Sequence, residues 1–65
     1  MSLIRIRTVM KQTSLSKSSI YAMAASRPPQ FPQPVKIGKR ASAWVQAEIE
    51  IWLQAKIRES RGGQS

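Results

Sequence analysis

Four prolines stand within seven positions of this chain, at Pro28, Pro29, Pro32 and Pro34. Each has a fixed φ and no backbone donor, so neither a helix interior nor a central strand can run through them. The 65-residue chain is thereby cut in two, and any core must draw on elements from both sides. A chain this short buries only about 60% of the surface that its unfolded form exposes. It contains neither cysteine nor histidine, which excludes a disulfide framework and the usual zinc ligand sets. Stability must come from apolar packing alone, and no cofactor is expected. Phe31 lies among the prolines. An aromatic so placed is expected to anchor the segment on the core rather than leave it a free linker.

Upstream of the prolines, Leu3-Ile4-Arg5-Ile6 reads as a short extended piece or the start of a helix. Arg7 to Gln12 suits a short helix with Val9 and Met10 as its apolar contacts. Thr13 and Ser14 then compete for backbone hydrogen bonds and favour a turn. Ser16 is a good N-cap, since its hydroxyl can accept from an orphan amide one turn on. A second helix is predicted over Lys17 to Ala25. Ile20, Met23 and Ala24 share its inner face, with Leu15 stapled onto that face from ahead of the cap. Lys17, Ser18 and Tyr21 point elsewhere.

Downstream, Val35-Lys36-Ile37 and Ala41 to Trp44 flank Gly38-Lys39-Arg40 and read as a small hairpin. Its inner face is expected to carry Val35, Ile37 and Trp44, and its outer face and tip Lys36, Lys39, Arg40 and Ser42. From about Gln46 to Glu59 no glycine or proline interrupts a helical pattern. Ile49, Trp52, Leu53, Lys56 and Ile57 fall on one stripe, with the Lys56 stem completing it. Glu48 and Glu50 near its start and Lys56 and Arg58 near its end complement the helix dipole. Gly62 and Gly63 stop it. The expected organisation is one domain over residues 1–60 and a tail over 61–65. Trp44 and Trp52 are expected in the core.

The charge is distributed unevenly. Residues 1–47 hold eight basic side chains and no acid, while residues 48–65 hold three of each sign, so the whole net charge of +8 belongs to the front of the chain. A one-signed field of this density attracts polyanions, and DNA responds by releasing its condensed counterions. No stretch of about 18 apolar residues is present to span a bilayer. The residues Met1 to Arg5 lack the apolar core of a signal peptide. The chain is read as cytoplasmic, and at the nucleoid when bound. Without a nucleophile–base set, a paired-carboxylate pocket or a glycine-rich phosphate loop, an enzyme is not expected.

Two short helices around a tight turn form a helix-turn-helix, and a following hairpin with a basic tip forms a wing. In that arrangement the second helix presents its N-terminal residues to base edges and its amide dipole to phosphates. The candidate DNA-binding residues are therefore Lys17, Ser18, Ser19 and Tyr21 on the helix and Lys36, Lys39 and Arg40 on the wing. Tyr21 serves equally as a packed aromatic. Arg5 and Arg7 are read as solvated.

These residues also carry a resemblance. Ile6-Arg7-Thr8-Val9, Thr13-Ser14-Leu15-Ser16-Lys17-Ser18-Ser19-Ile20-Tyr21, Phe31-Pro32-Gln33-Pro34-Val35-Lys36-Ile37-Gly38, Trp44 and Glu48-Ile49-Glu50-Ile51-Trp52-Leu53 resemble the AlpA-like family of prophage transcriptional regulators. The resemblance covers about Leu3 to Ile57. It implies a mainly α fold with a small β-hairpin wing, a winged helix-turn-helix related to phage excisionases and the MerR DNA-binding head. It also implies control of integrase or excision genes in a prophage or genomic island, with double-stranded DNA as partner and RNA polymerase or an integrase as further candidates. Ser14 stands where the family's turn usually carries glycine, so the turn is expected to take another shape. Thr8 replaces a commonly acidic residue, and the segment from Tyr21 to Phe31 is about two residues longer than usual.

Other readings remain at this level. An excisionase-type architectural factor would bend DNA for recombination without touching polymerase. A protein-interaction module would use Ile51, Ala55 and the Pro-rich segment as a partner face. A membrane-surface peptide would need a basic amphipathic helix, which the nearly neutral last helix does not supply. A monomer this small makes few base contacts, so weak or DNA-assisted self-association fits a DNA-binding role.

Overall fold

A computed structural model describes residues 2–62. The elements run in the order β1 (Leu3–Ile4), α1 (Ile6–Thr13), α2 (Lys17–Ala25), β2 (Val35–Lys36), β3 (Ser42–Val45) and α3 (Gln46–Gly62). The fold is mainly helical with a small antiparallel sheet in the order β1-β3-β2. This is the expected winged helix-turn-helix arrangement, with one addition. Leu3 and Ile4 pair with Val45 and Trp44, so the extended N-terminal piece becomes a third strand. Gln46 N–H donates to Ser2 C=O at 2.8 Å and holds that strand to the start of α3.

The core is assembled from both sides of the Pro-rich cut. Val9 from α1, Ile20 and Ala24 from α2, Phe31, Trp44 from β3 and Ile49 from α3 form one buried cluster. Leu15 and Met23 pack against it, as the staple and the inner helix face predict. The Pro-rich segment is an ordered strap. Phe31 is buried and meets Trp52 edge to face, with centroids 4.7 Å apart. Trp44 Nε1–H donates to Pro32 C=O at 3.0 Å, and Trp52 Nε1–H to Gln30 C=O at 2.8 Å. Gln33 Nε2–H donates to Ala24 C=O at 2.6 Å, tying the strap to the end of α2. Two strap carbonyls, of Gln30 and Pro32, thus accept from indoles, while the strap's own Gln33 amide donates outward to α2.

Four expectations are corrected. The turn between α1 and α2 keeps the left-handed conformation: Ser14 has φ 61° and ψ 22°. Its N–H donates to Met10 C=O at 2.8 Å, and Thr13 Oγ1 donates to Val9 C=O at 2.8 Å while accepting from Leu15 N–H at 3.3 Å. These bonds hold a serine where glycine is the cheaper residue. Val35 and Ile37 do not face inward; they are 41% and 47% exposed. The reason is the register. Val35 pairs with Ala43 and Lys36 with Ser42, so Val35 lies on the face opposite Trp44, and Ser42, expected outward, lies on the Trp44 face. Strand β2 is moreover an edge strand paired with β3 alone. Helix α3 outruns its expected end near Glu59 and stays helical through Arg61 and Gly62, whereas residues 63–65 of the expected tail lie outside the described residues. Its apolar stripe is also shorter than expected. Ile49 is buried and Trp52 and Leu53 are half-buried, but Ile57 is 43% exposed. Lys56 extends along the stripe, with Nζ 5.5 Å from the Trp52 ring centroid.

Ser14→Gly is expected to stabilise the domain. A non-glycine residue in the left-handed region costs about 1–2 kcal/mol, and the extra unfolded-state entropy of glycine returns about 0.5–1 kcal/mol of that gain. The net of about 0.5–1 kcal/mol should raise the thermal midpoint by about 2–8 °C, as read by circular dichroism. An unchanged or lowered midpoint would show that the Thr13 and Met10 bonds already relieve the strain.

Candidate nucleic-acid interface

Helix α2 owes its start to Ser16. Ser16 Oγ accepts from Ser19 N–H at 3.1 Å and donates to Ser19 Oγ at 3.0 Å. The cap leaves Lys17 and Ser18 in the first turn and exposed. Ser19 is exposed as well, but its hydroxyl oxygen is engaged by the cap, leaving its own proton to donate outward. Because Ile20 and Ala24 are buried, the opposite face of α2 is open to solvent. Ser18, Tyr21, Ala22 and Ala25 lie along it at helical spacing, all exposed.

Tyr21 answers both of its sequence readings. Its ring meets Trp44 edge to face at 5.8 Å, yet the residue is 39% exposed. Among the described residues no hydrogen bond occupies its hydroxyl. The Tyr21–Trp44 contact also links α2 to β3, the strand that pairs with β2 through Val35 to Ala43 and Lys36 to Ser42. The wing is thus fixed relative to α2 by an aromatic pair and by the Gln33–Ala24 bond.

On the wing, Lys36 sits on the edge strand. Lys39 and Arg40 occupy the connecting loop, which closes through Ile37 N–H to Ala41 C=O at 2.9 Å. All three are exposed. So are Arg5, Arg7, Lys11 and Arg27. Among the described residues the single ion pair is Lys56–Glu59 at 3.6 Å, on α3. The lysines and arginines of the acid-free front are therefore all exposed, and none has an ion-pair partner among the described residues.

Two residues on this surface escape a search for charge. Ala22 and Ala25 present methyl groups beside Ser18 and Tyr21 on the outward face of α2. Their signal was the spacing from Ser18, i+4 and i+7, rather than their chemistry. Arg27, immediately past α2, adds a cation between the helix and the strap.

A family model described as the prophage CP4-57 regulatory protein (AlpA) matches residues 2–57. The chain belongs to the AlpA family. Two curated relatives are similar to it. An uncharacterised protein, ORF88, of Enterobacteria phage P4 is 32% identical over 60 residues, covering 92% of this chain and 66% of that protein. The DNA-binding transcriptional activator AlpA of Escherichia coli strain K12 is 25% identical over 60 residues, covering 86% of each chain. The match spans the helix-turn-helix, the strap, the wing and most of α3. No helix among the described residues is long and apolar enough to cross a membrane.

Proposed function

We propose that this AlpA-family chain is a sequence-specific double-stranded DNA-binding transcriptional regulator of prophage or genomic-island genes, among them those for integration and excision. Lys17, Ser18, Ser19 and Tyr21 enter the major groove with α2, while Lys36, Lys39 and Arg40 hold the neighbouring backbone. The observation that carries the reading is the set of exposed cations on the wing and at the leading end of α2, without ion-pair partners among the described residues. Membership of a family described as regulatory, and similarity to a DNA-binding transcriptional activator, support it. RNA polymerase or an integrase is the protein such a regulator would meet at its target.

The division of labour follows from chemistry. Amides at the start of α2 and the lysine and arginine heads neutralise phosphates and set register. Base choice falls to the groove-facing side chains. Lys17 can donate to the O6 and N7 acceptors of guanine, and the Ala22 methyl suits the C5-methyl of thymine. Tyr21, braced on Trp44, presents its hydroxyl to a phosphate with little entropy left to lose.

Genome-wide binding followed by footprinting of the strongest site tests the proposal directly. With about five to seven phosphates neutralised, log affinity should fall against log salt with a slope of roughly −4.5 to −6. A salt-independent affinity would overturn it. Lys17→Ala should cost about 1–3 kcal/mol on the preferred site and little on variants that lack its base. An equal loss on every sequence would reassign Lys17 to the backbone.

A further inference from the structure

Helix α3 has a second face. Its inner side is spent on the core through Ile49, Trp52 and Leu53. On the opposite side Ala47, Ile51, Gln54, Ala55 and Arg58 recur at i, i+4, i+7, i+8 and i+11, one continuous stripe. Ile51 is 69% exposed, the most exposed large apolar side chain among the described residues. Two open grooves flank it, one against the Pro-rich strap and one along α3 itself, and Ile51 and Ala55 line both. Among the described residues nothing covers this ridge.

The charges on the same face say what would. Glu48 borders the strap-side groove and Arg58 the other. Neither has an ion-pair partner among the described residues. Midway between positions 48 and 58 is position 53, which is also midway between 51 and 55. A two-fold axis crossing α3 at that level sets each Ile51 on the partner's Ala55, a large side chain against a small one. The same axis brings each Glu48 opposite the partner's Arg58. Apolar fit and charge complementarity thus share one symmetry centre, as an isologous interface demands.

We propose that this stripe is a self-association surface that pairs two copies of the chain through antiparallel α3 helices. One helix face offers less than the roughly 1,200 Å² of total burial typical of a stable complex, and two chains of net charge +8 repel each other. The free pair is therefore weak. Adjacent copies on one polyanion lose that repulsion and gain an effective concentration in the millimolar range. The pairing stands apart from the proposed DNA function; its use on adjacent DNA sites rests on it.

The chain has no cysteine, so Gln54→Cys, next to the proposed axis, reports the pairing by disulfide formation. Lys11→Cys on α1 is the control. Cross-linking is measured in the free protein at millimolar concentration in high salt, and on duplexes carrying one or two footprinted sites. Gln54→Cys is expected to cross-link in the free protein and on the two-site duplex, Lys11→Cys is not, and Ile51→Glu added to Gln54→Cys should abolish it. Uncrosslinked wild type should bind two sites about tenfold more tightly than independent binding allows. Ile51→Glu should lose that factor while keeping its single-site affinity and its melting temperature. Glu48→Arg and Arg58→Glu should each weaken pairing, and the double reversal should restore it. Absence of the Gln54→Cys cross-link in the free protein, or equal cross-linking through Lys11→Cys, overturns the proposal. If the protein binds no DNA, the DNA function fails and the free-protein arm still decides the pairing. Loss of promoter activation in Ile51→Glu with cooperativity intact would assign the face to another protein and likewise overturn it.

Discussion

Trp44→Ala is expected to leave the chain without a cooperative thermal transition, or with one lowered by more than about 20 °C. Trp44 is fully buried and joins three parts of the molecule. It pairs with Ile4 of β1 in the sheet, meets Tyr21 of α2 and donates to Pro32 of the strap. Truncating a core tryptophan costs about 3–5 kcal/mol. Stranding the Pro32 carbonyl adds about 1 kcal/mol. At about 0.05–0.15 kcal/mol per residue, a domain of this length holds only about 3–10 kcal/mol in total, so the loss is comparable with the whole stability. Trp44→Phe keeps most of the apolar area and should cost only about 1–3 kcal/mol, separating packing from the hydrogen bond. Circular-dichroism melting of the two variants checks both numbers. A Trp44→Ala melt within a few degrees of wild type would mean that the core lies elsewhere.

Replacing Lys36, Lys39 and Arg40 together by alanine should act in the opposite way, sparing the fold and removing much of the DNA affinity. All three are exposed and without ion pairs among the described residues, and substitutions of that kind usually change stability by less than about 0.5 kcal/mol. Each phosphate contact contributes about 0.9 to the salt slope, so losing three should flatten it by about 2.7. At 0.1 M salt the same counterion term amounts to about eightfold per contact, so affinity should fall by about 500-fold. Gel shifts at three or more salt concentrations, beside a melting curve, measure both quantities. A fall in affinity with an unchanged slope would mean that the wing does not touch phosphate.

The elements legible in the sequence are those whose signals are local. Ser16 announced the start of α2, the spacing of Ile20, Met23 and Ala24 announced its inner face, and Phe31 announced that the Pro-rich segment is anchored. What was hidden depends on partners distant in the chain. Leu3 and Ile4 become a strand only because Val45 and Trp44 pass beside them. Alternation marks Val35 and Ile37 as strand residues, but it cannot tell the register that sets Val35 on the face opposite Trp44. Ser14 takes a conformation that its own side chain disfavours, held there by bonds from the helix before it. For the interface, residue type and charge were enough to name Lys17 and the wing cations. Ala22 and Ala25 carry no such signal and emerge once the buried face of α2 is known.

The strap has a consequence for how this chain can vary in length. Loops ordinarily tolerate insertions because their backbone bonds face water. Here Gln30 and Pro32 each offer a carbonyl to a different indole, and Phe31 between them fills the core. One added residue between them would throw a tryptophan out of step with its acceptor. Before Gln30 no side chain is fixed in the core. Arg27, Pro28 and Pro29 are exposed, and the stretch is held by Gln30 N–H to Met23 C=O and by the Ser26 hydroxyl. Extra length therefore costs less there, and drift in spacing should accumulate on that side and stop at Phe31.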